Sequence, residues 1–273
     1  KKKGLPNNTI LSLHYQKNGK IWMGLDYGLS YSDIKNNITY FYNTNSDFGT
    51  GYTAALQDST FYLGTNQGLY SAPWDALDNR KDINPFSIIN GAEGQVWTLQ
   101  KVGDKILCGH DAGLFEIDNH QLKKIYNEPS VMSILLYDEN TLLTGNYNGI
   151  SIFKKENNSW KFVKKMKFIL GAINQIVKEN HQILWVNIPN YGFIRFKVDE
   201  HFNPIKRTII NPKIFKGYFP YLFKDDLGMH VITNKAEYLY DSRKNSFSVF
   251  KNQMNFVEVR VCFLCFFQLI SFD

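Results

Sequence analysis

Cysteine, proline and long apolar runs are all scarce in this chain of 273 residues. The three cysteines are Cys108, Cys262 and Cys265. An odd count, in a chain long enough to bury a core of its own, argues against a disulfide framework. Cys262 and Cys265 have C-x-x-C spacing, but residues three apart on a strand face opposite sides, and no second Cys or His pair flanks them. That spacing therefore predicts neither a metal nor a redox centre, and cysteine usage leaves the redox compartment open. Eight prolines are too few for a Pro-rich linker. The longest apolar stretch, residues 261–272, is broken by Gln268 and Ser271. It falls short of the roughly 20 residues that a membrane-spanning helix requires. No secretory leader is visible, because Lys1-Lys2-Lys3 is followed by Gly4-Leu5-Pro6-Asn7-Asn8 rather than by an apolar core.

Charge is thin as well. Lys and Arg number 31 and Asp and Glu 25, a formal net charge of +6. The basic runs are Lys1–Lys3 and the stretch between Lys161 and Lys167, neither of them a long arm. A solvated surface is expected rather than a nucleic-acid footprint. The signatures of catalysis are missing too. None of the six histidines stands four residues from another across a Glu, and there is no G-x-S-x-G. Gly24-Leu25-Asp26-Tyr27-Gly28 joins two strands and so lacks the helix that a phosphate loop needs. Asp225-Asp226 reads as a solvated hairpin turn, with a calcium or acid/base pair as the alternative. The expectation is no enzyme activity, no metal and no cofactor.

What is abundant is aromatic: 21 Phe and 16 Tyr, with 19 Gly. Aromatic and β-branched residues favour pleated, half-buried surfaces. The glycines are ordered. An apolar pair, Gly, three variable residues, Gly and an apolar residue recur at Trp22-Met23-Gly24 to Gly28-Leu29, Leu63-Gly64 to Gly68-Leu69, Cys108-Gly109 to Gly113-Leu114 and Thr144-Gly145 to Gly149-Ile150. Looser copies run from Trp185 to Phe193, where the first Gly is lost and a residue gained, and from Val231 to Tyr238, where Ala236 replaces the second Gly. Positions 28, 68, 113, 149, 192 and 236 give a mean period of about 42 residues. That is the period of a four-stranded propeller blade. Between the motifs apolar residues alternate with period two, and no amphipathic helical stripe exceeds two turns.

The reading is an all-β propeller of six recognisable four-stranded blades, truncated or incompletely closed. It spans residues 1–250, with blades at about 4–50, 51–90, 91–126, 127–167, 168–211 and 212–250 and an atypical tail at 251–273. In the first blade, strands are expected at 9–15, 21–25, 29–32 and 38–42, with a hairpin turn at 17–20. Later inner strands are expected at 52–56, 95–102, 131–137, 174–178 and 219–224. Outer strands are expected at 86–89, 122–125, 160–163, 205–209 and 247–250, and residues 74–84 read as an insertion. The first glycine of each motif should sit where backbones crowd, the second where a turn needs positive φ.

The run Gly4-Leu5-Pro6-Asn7-Asn8-Thr9-Ile10-Leu11-Ser12-Leu13, then Asn18-Gly19-Lys20-Ile21-Trp22-Met23-Gly24 and Gly28-Leu29-Ser30-Tyr31, resembles the two-component regulator propeller repeat. Trp185-Val186-Asn187 through Tyr191-Gly192-Phe193 resembles the blade of relatives that carry a triple-tyrosine module before a membrane span and a helix-turn-helix output. The resemblance covers roughly residues 4–250. It implies an extracytoplasmic or periplasmic sensor module of a Bacteroidetes signalling or transcription-regulatory receptor, with a membrane-anchored parent. The family usually closes seven blades, and no triple-tyrosine module, span, kinase or helix-turn-helix is seen here. A constitutive protein-interaction scaffold and a propeller lyase or glycosidase are the alternatives. The partners expected are an unidentified carbohydrate or peptide ligand and a second copy, with no direct contact to nucleic acid.

Repetition brings the variable residues between paired glycines to one rim. The candidate ligand-binding set is Asp26, Tyr27, Asn66, Gln67, His110, Asp111, Tyr147, Asn148, Asn190 and Tyr191. Amides, carboxylates and phenols suit hydrogen bonding and stacking with a polar ligand. Asn and Asp are also ordinary turn formers, a role that explains the tyrosines and His110 poorly. Trp22, Trp97 and Trp185 are expected to pack blade on blade, with sugar stacking as the alternative, while Trp74 in the insertion is freer to meet a ligand or partner.

Overall fold

The computed structural model describes residues 10–16, 20–26, 29–33, 48–78, 85–118, 121–167, 171–217 and 220–252. These fall in two compact units, Lys1–Asp47 with Ala76–Pro85, and Phe48–Asp75 with Phe86–Asp273. The first unit contains β1 (Ile10–Gln16), β2 (Lys20–Leu25) and β3 (Leu29–Asp33), paired antiparallel in that order. Residues 17–19 of the turn expected at 17–20, and the fourth strand expected at 38–42, lie outside the described residues, and Lys20 opens β2.

The second unit is five consecutive four-stranded antiparallel sheets. The second blade is β4 (Gly51–Gln57), β5 (Thr60–Thr65), β6 (Gly68–Pro73) and β7 (Ser87–Glu93). The third is β8 (Val96–Val102), β9 (Lys105–His110), β10 (Gly113–Asp118) and β11 (Gln121–Tyr126). The fourth is β12 (Ser133–Asp138), β13 (Thr141–Asn146), β14 (Gly149–Glu156) and β15 (Ser159–Lys165). The fifth is β16 (Gln175–Lys178), β17 (Ile183–Ile188), β18 (Gly192–Val198) and β19 (Pro204–Ile210), and the sixth β20 (Tyr221–Lys224), β21 (Met229–Ile232), β22 (Ala236–Asp241) and β23 (Ser246–Asn252). Each sheet is built from strands consecutive in sequence, so no described strand closes one blade with residues from elsewhere in the chain.

Side-chain alternation explains why the blades stack. On β9, Ile106 and Cys108 pack with Ala55, Leu69 and Ala92 of the second blade, while Leu107 between them packs with Val131 and Leu142 of the fourth. The clusters joining the fourth blade to the fifth and the fifth to the sixth follow the same rule. Every core is therefore shared between two sheets, and neither sheet could bury its face alone. The middle strand β13 is buried along its whole length, whereas the outer strand β15 is largely exposed. Trp185 is fully buried between the fifth and sixth blades, the packing role expected of it.

A β-carbon on Gly109 would lie 2.4 Å from the Val131 carbonyl oxygen and 2.6 Å from Thr98 Cγ2. The first glycine thus lets two inner strands close on the end of a middle strand. The second glycine is less uniform than the sequence suggests. Gly113, Gly149 and Gly192 have φ of 139°, 105° and 120°, but Gly68 is outside the left-handed region, and its limit is space, because a β-carbon there would stand 2.9 Å from Ala92 O. Two other departures are local. β7 runs to Glu93, beyond the expected 86–89, and the insertion opens with a short helix, α1 (Trp74–Asp78). Among the described residues no helix is long and apolar enough to cross a membrane.

Candidate ligand-binding rim

In the second, third, fourth and sixth blades the turn between second and third strands is tied to the loops that lead into the inner strands. Asn66 N donates to Thr50 O (3.0 Å), ahead of β4, and Gly94 N donates to Gln67 O (3.0 Å), ahead of β8. Asp111 N donates to Gln95 O (2.9 Å) and its carbonyl accepts from Ser130 N (2.9 Å), ahead of β12. Ile173 N donates to Asn146 O (3.0 Å), ahead of β16. Thr233 Oγ1 donates to Lys216 O (2.6 Å), ahead of β20. Turn and loop therefore share one rim, blade after blade.

In the second, third and sixth blades the residue at the end of the second strand organises the turn. Thr65 Oγ1 accepts from Gln67 N (3.0 Å) and Gly68 N (3.1 Å). Thr233 Oγ1 accepts from Lys235 N (3.2 Å) and Ala236 N (3.1 Å). His110 occupies the same place in the third blade, where Nδ1 accepts from Ala112 N (2.9 Å). Burial pushes the His110 imidazole down, against the pull of Asp111 and nearby carbonyls, which keeps a lone pair on the ring for that bond. His110 is thus buried and caps its turn. The threonine caps are legible in the sequence as Thr65-Asn66-Gln67-Gly68 and Thr233-Asn234-Lys235-Ala236, a side-chain-to-backbone turn pattern that a search for ligand groups misses.

The other candidates divide in two. Asn66 Oδ1 accepts from Thr50 N (2.6 Å), and Asp111 Oδ1 accepts from Trp97 Nε1 (2.9 Å) and Ser130 Oγ (3.2 Å). These side chains hold the rim together. Gln67, Tyr147, Asn148, Asn190 and Tyr191 are exposed, Tyr147 at 58% and Tyr191 at 51%. Asn190 takes φ +64° in a turn one residue longer than its counterparts. Asp26 is exposed at the end of the described part of the first unit's turn, and Tyr27 lies outside the described residues.

Beside the turns, the Trp97 and Tyr52 rings stack at 5.7 Å and 9° across the junction of the second and third blades. Gln95 Nε2 donates to the Tyr52 hydroxyl (3.1 Å). Where the fifth blade lacks its first glycine, Asn187 Nδ2 reaches Gln175 Oε1 (3.3 Å) and Gln175 exchanges two hydrogen bonds with the Leu222 backbone. The rim is thus lined with amides, hydroxyls and half-buried aromatic rings.

Among the described residues no group of three or more His, Cys, Asp and Glu side chains is placed to hold a metal ion. The buried His230 has Asp225 Oδ1 3.0 Å from Nε2 and Glu237 Oε1 2.7 Å from Nδ1. Carboxylates on opposite ring nitrogens cannot share one ion with that ring.

No family model matches the chain, and no curated protein matches it. Solved structures do. The extracellular domain of BT4673 from B. thetaiotaomicron, assigned to a one component system, aligns at TM-score 0.60 and 16% identity over 93% of this chain and 38% of its own. The extracellular domain of BT3049 from the same organism, assigned to a hybrid two component system, aligns at 0.52 and 15% over 92% of this chain and 36% of its own. The WD40 β-propeller domain of Doa1 aligns at 0.53 and 11% over 90% of this chain and 79% of its own. The chain spans less than two fifths of the length of the two B. thetaiotaomicron domains. Two of these three likenesses are to extracellular domains of proteins assigned to signalling systems. At such identities they establish the fold: the chain is a β-propeller chain built like those extracellular domains.

Proposed function

We propose that the chain is a non-catalytic sensor module of an extracytoplasmic signalling receptor, binding a carbohydrate or peptide on the rim formed by the turns between second and third strands. The observation that carries this reading is that the turns expose Gln67, Tyr147, Asn148, Asn190 and Tyr191 while Thr65, His110 and Thr233 brace the backbone beneath. A braced backbone presenting exposed amides and phenols costs little ordering on binding. The fold likeness to extracellular domains of B. thetaiotaomicron signalling proteins supports the sensor class and the extracytoplasmic setting. Asn66, His110 and Asp111 then act by shaping the rim, and Asp26 and Tyr27 occupy the matching positions of the first repeat in sequence.

The test is thermal unfolding of the chain against a set of soluble oligosaccharides and peptides. A member of the set should raise the melting temperature of the native chain but not of a Tyr147→Ala/Tyr191→Ala variant whose own melting is unchanged. An equal shift in both proteins would overturn the site. Cleavage of the oligosaccharide during incubation would overturn the non-catalytic reading.

A further inference from the structure

The charge of the molecule is concentrated on one strand pair. Residues 154–167 hold Lys154, Lys155, Lys161, Lys164, Lys165 and Lys167 against a single acid, Glu156, so they carry +5 of the formal +6. The rest of the chain is close to neutral. These residues form the outer edge of the fourth blade: the end of β14, the whole of β15 and the two residues after it. Five of the six lysines are exposed and Lys164 is half-buried.

The packing orients these ammonium groups without cancelling them. Of these six, Lys165 alone forms an ion pair with a described carboxylate, Glu128 Oε1 at 2.8 Å, and the Asp138 carboxylate is near enough to feel the charge of Lys154. Lys154 donates to the Thr141 hydroxyl (2.6 Å) and Lys164 to Asn203 Oδ1 (3.3 Å), and Lys155 Nζ lies 6.0 Å over the Trp160 ring. The register sets Lys154 directly opposite Lys161, a like-charge pair that costs stability. Protection of an edge strand needs less, since β7, also an outer strand, has no basic residue. Between the lysines Phe162 and Val163 are exposed at 36% and 51%. The Phe162 ring stacks on Tyr126 at 4.4 Å and 8°, so that face is not offered to a base or a sugar.

Neighbours along β15 point to opposite faces, so the lysines leave the edge in both directions. Divergent point charges on flexible stems cannot converge on one phosphate or carboxylate. They match an extended array of mobile anions. We propose that this edge docks on an anionic lipid bilayer, with the ammonium groups among the headgroups and the more exposed Val163 at the acyl boundary. The proposal is independent of the ligand rim.

The test is co-flotation of the full chain with vesicles of phosphatidylcholine, alone or mixed with phosphatidylglycerol. The chain should bind the mixed vesicles, ignore the neutral ones, and let go between about 0.1 M and about 1 M salt as the screening length shrinks from about 10 to about 3 Å. Lys161→Gln and Lys167→Gln should each weaken partitioning roughly five-fold. A combined Lys154, Lys155, Lys161 and Lys167→Gln variant should fall by several hundred-fold by the same per-charge factor. Lys101, Lys213, Lys235 and Lys244→Gln, which removes equal charge elsewhere, should bind as the native chain does. Equal binding to neutral vesicles, equal loss in the control, unaltered binding in the single variants, or capture by heparin without capture by vesicles would each overturn the proposal.

Discussion

A β-carbon on Gly109 would press on the Val131 carbonyl oxygen at 2.4 Å, and a backbone atom cannot swing aside as a side-chain tip can. Gly109→Ala should therefore cost about 1–3 kcal/mol, the usual cost of overpacking. Gly103 offers a contrast, because its φ is +64° and nothing lies within 4 Å of the added methyl. Gly103→Ala should cost only about 1 kcal/mol of backbone strain. Urea unfolding midpoints of the two variants would show the order. Next to Gly109, burial pushes the Cys108 thiol up to about 12. Almost no thiolate exists in the folded state near neutral pH, and the thiolate is the nucleophile. Peptide mapping after iodoacetamide treatment should find Cys108 unmodified in the native protein and labelled in urea.

At the scale of elements, the junction of the fifth and sixth blades turns on Glu179, at the far end of β16 from the rim. Arg195 Nε and Nη2 donate to its two carboxylate oxygens at 2.8 Å each, and Trp185 Nε1 donates at 2.6 Å. Lys224 Nζ, from the sixth blade, donates to the Glu179 carbonyl at 2.8 Å, and the Arg195 guanidinium lies 5.5 Å from the Tyr240 ring centre. Burial pushes the Glu179 carboxyl up, but the hydrogen bonds from Arg195 and Trp185 and the guanidinium charge outweigh it and hold it below its ordinary value near 4.5. A carboxyl depressed by folding adds stability that is full above its unfolded value and is lost as pH falls through the lower folded value. Glu179→Gln should cost about 1–3 kcal/mol at pH 7, since a charged hydrogen-bonded partner is lost. The difference from the native chain should shrink below pH 4.5, which paired melting curves would follow. At the rim, Asp111→Ala removes the bonds from Trp97 and Ser130 and should cost about 1–2 kcal/mol. Tryptophan emission should report the change at Trp97.

The same elements show which parts of the structure a sequence exposes. The glycine spacing was readable because a β-carbon at 24, 64, 109 or 145 would crowd the inner-strand Ser12, Thr53, Thr98 or Ser133, a contact that recurs in the first four blades. The middle strands were readable as short apolar runs, as at Ile106-Leu107-Cys108, because such a strand packs on a neighbour at both faces. The end of β7 was not, because an outer strand is half-exposed and its length depends on register shifts against β6. His110 looked like a ligand group because a histidine in a turn is unusual. Its burial comes from the approach of Gly94, where an added methyl would sit 3.0 Å from the ring, and nothing in the local sequence records that contact. Asn66 and Asp111 were legible as turn residues, but their partners Thr50 and Ser130, in loops, and Trp97, on β8, are distant in sequence.

For the molecule as a whole, repetition divides the labour. Apolar residues on both faces of the middle strands join blade to blade, and the charge gathers on the edge of one blade. The turns between second and third strands are left to vary at little cost to packing, which is why a sensing role is placed there. The most direct test is amide hydrogen exchange on the full chain, with and without a saturating oligosaccharide or peptide drawn from the melting assay. The account predicts added protection at residues 66–67, 111–112, 147–148 and 189–191, and in the loops that lead into β8, β12 and β16. Protection confined to the outer strands β11, β15 and β19, with the turns unchanged, would contradict it.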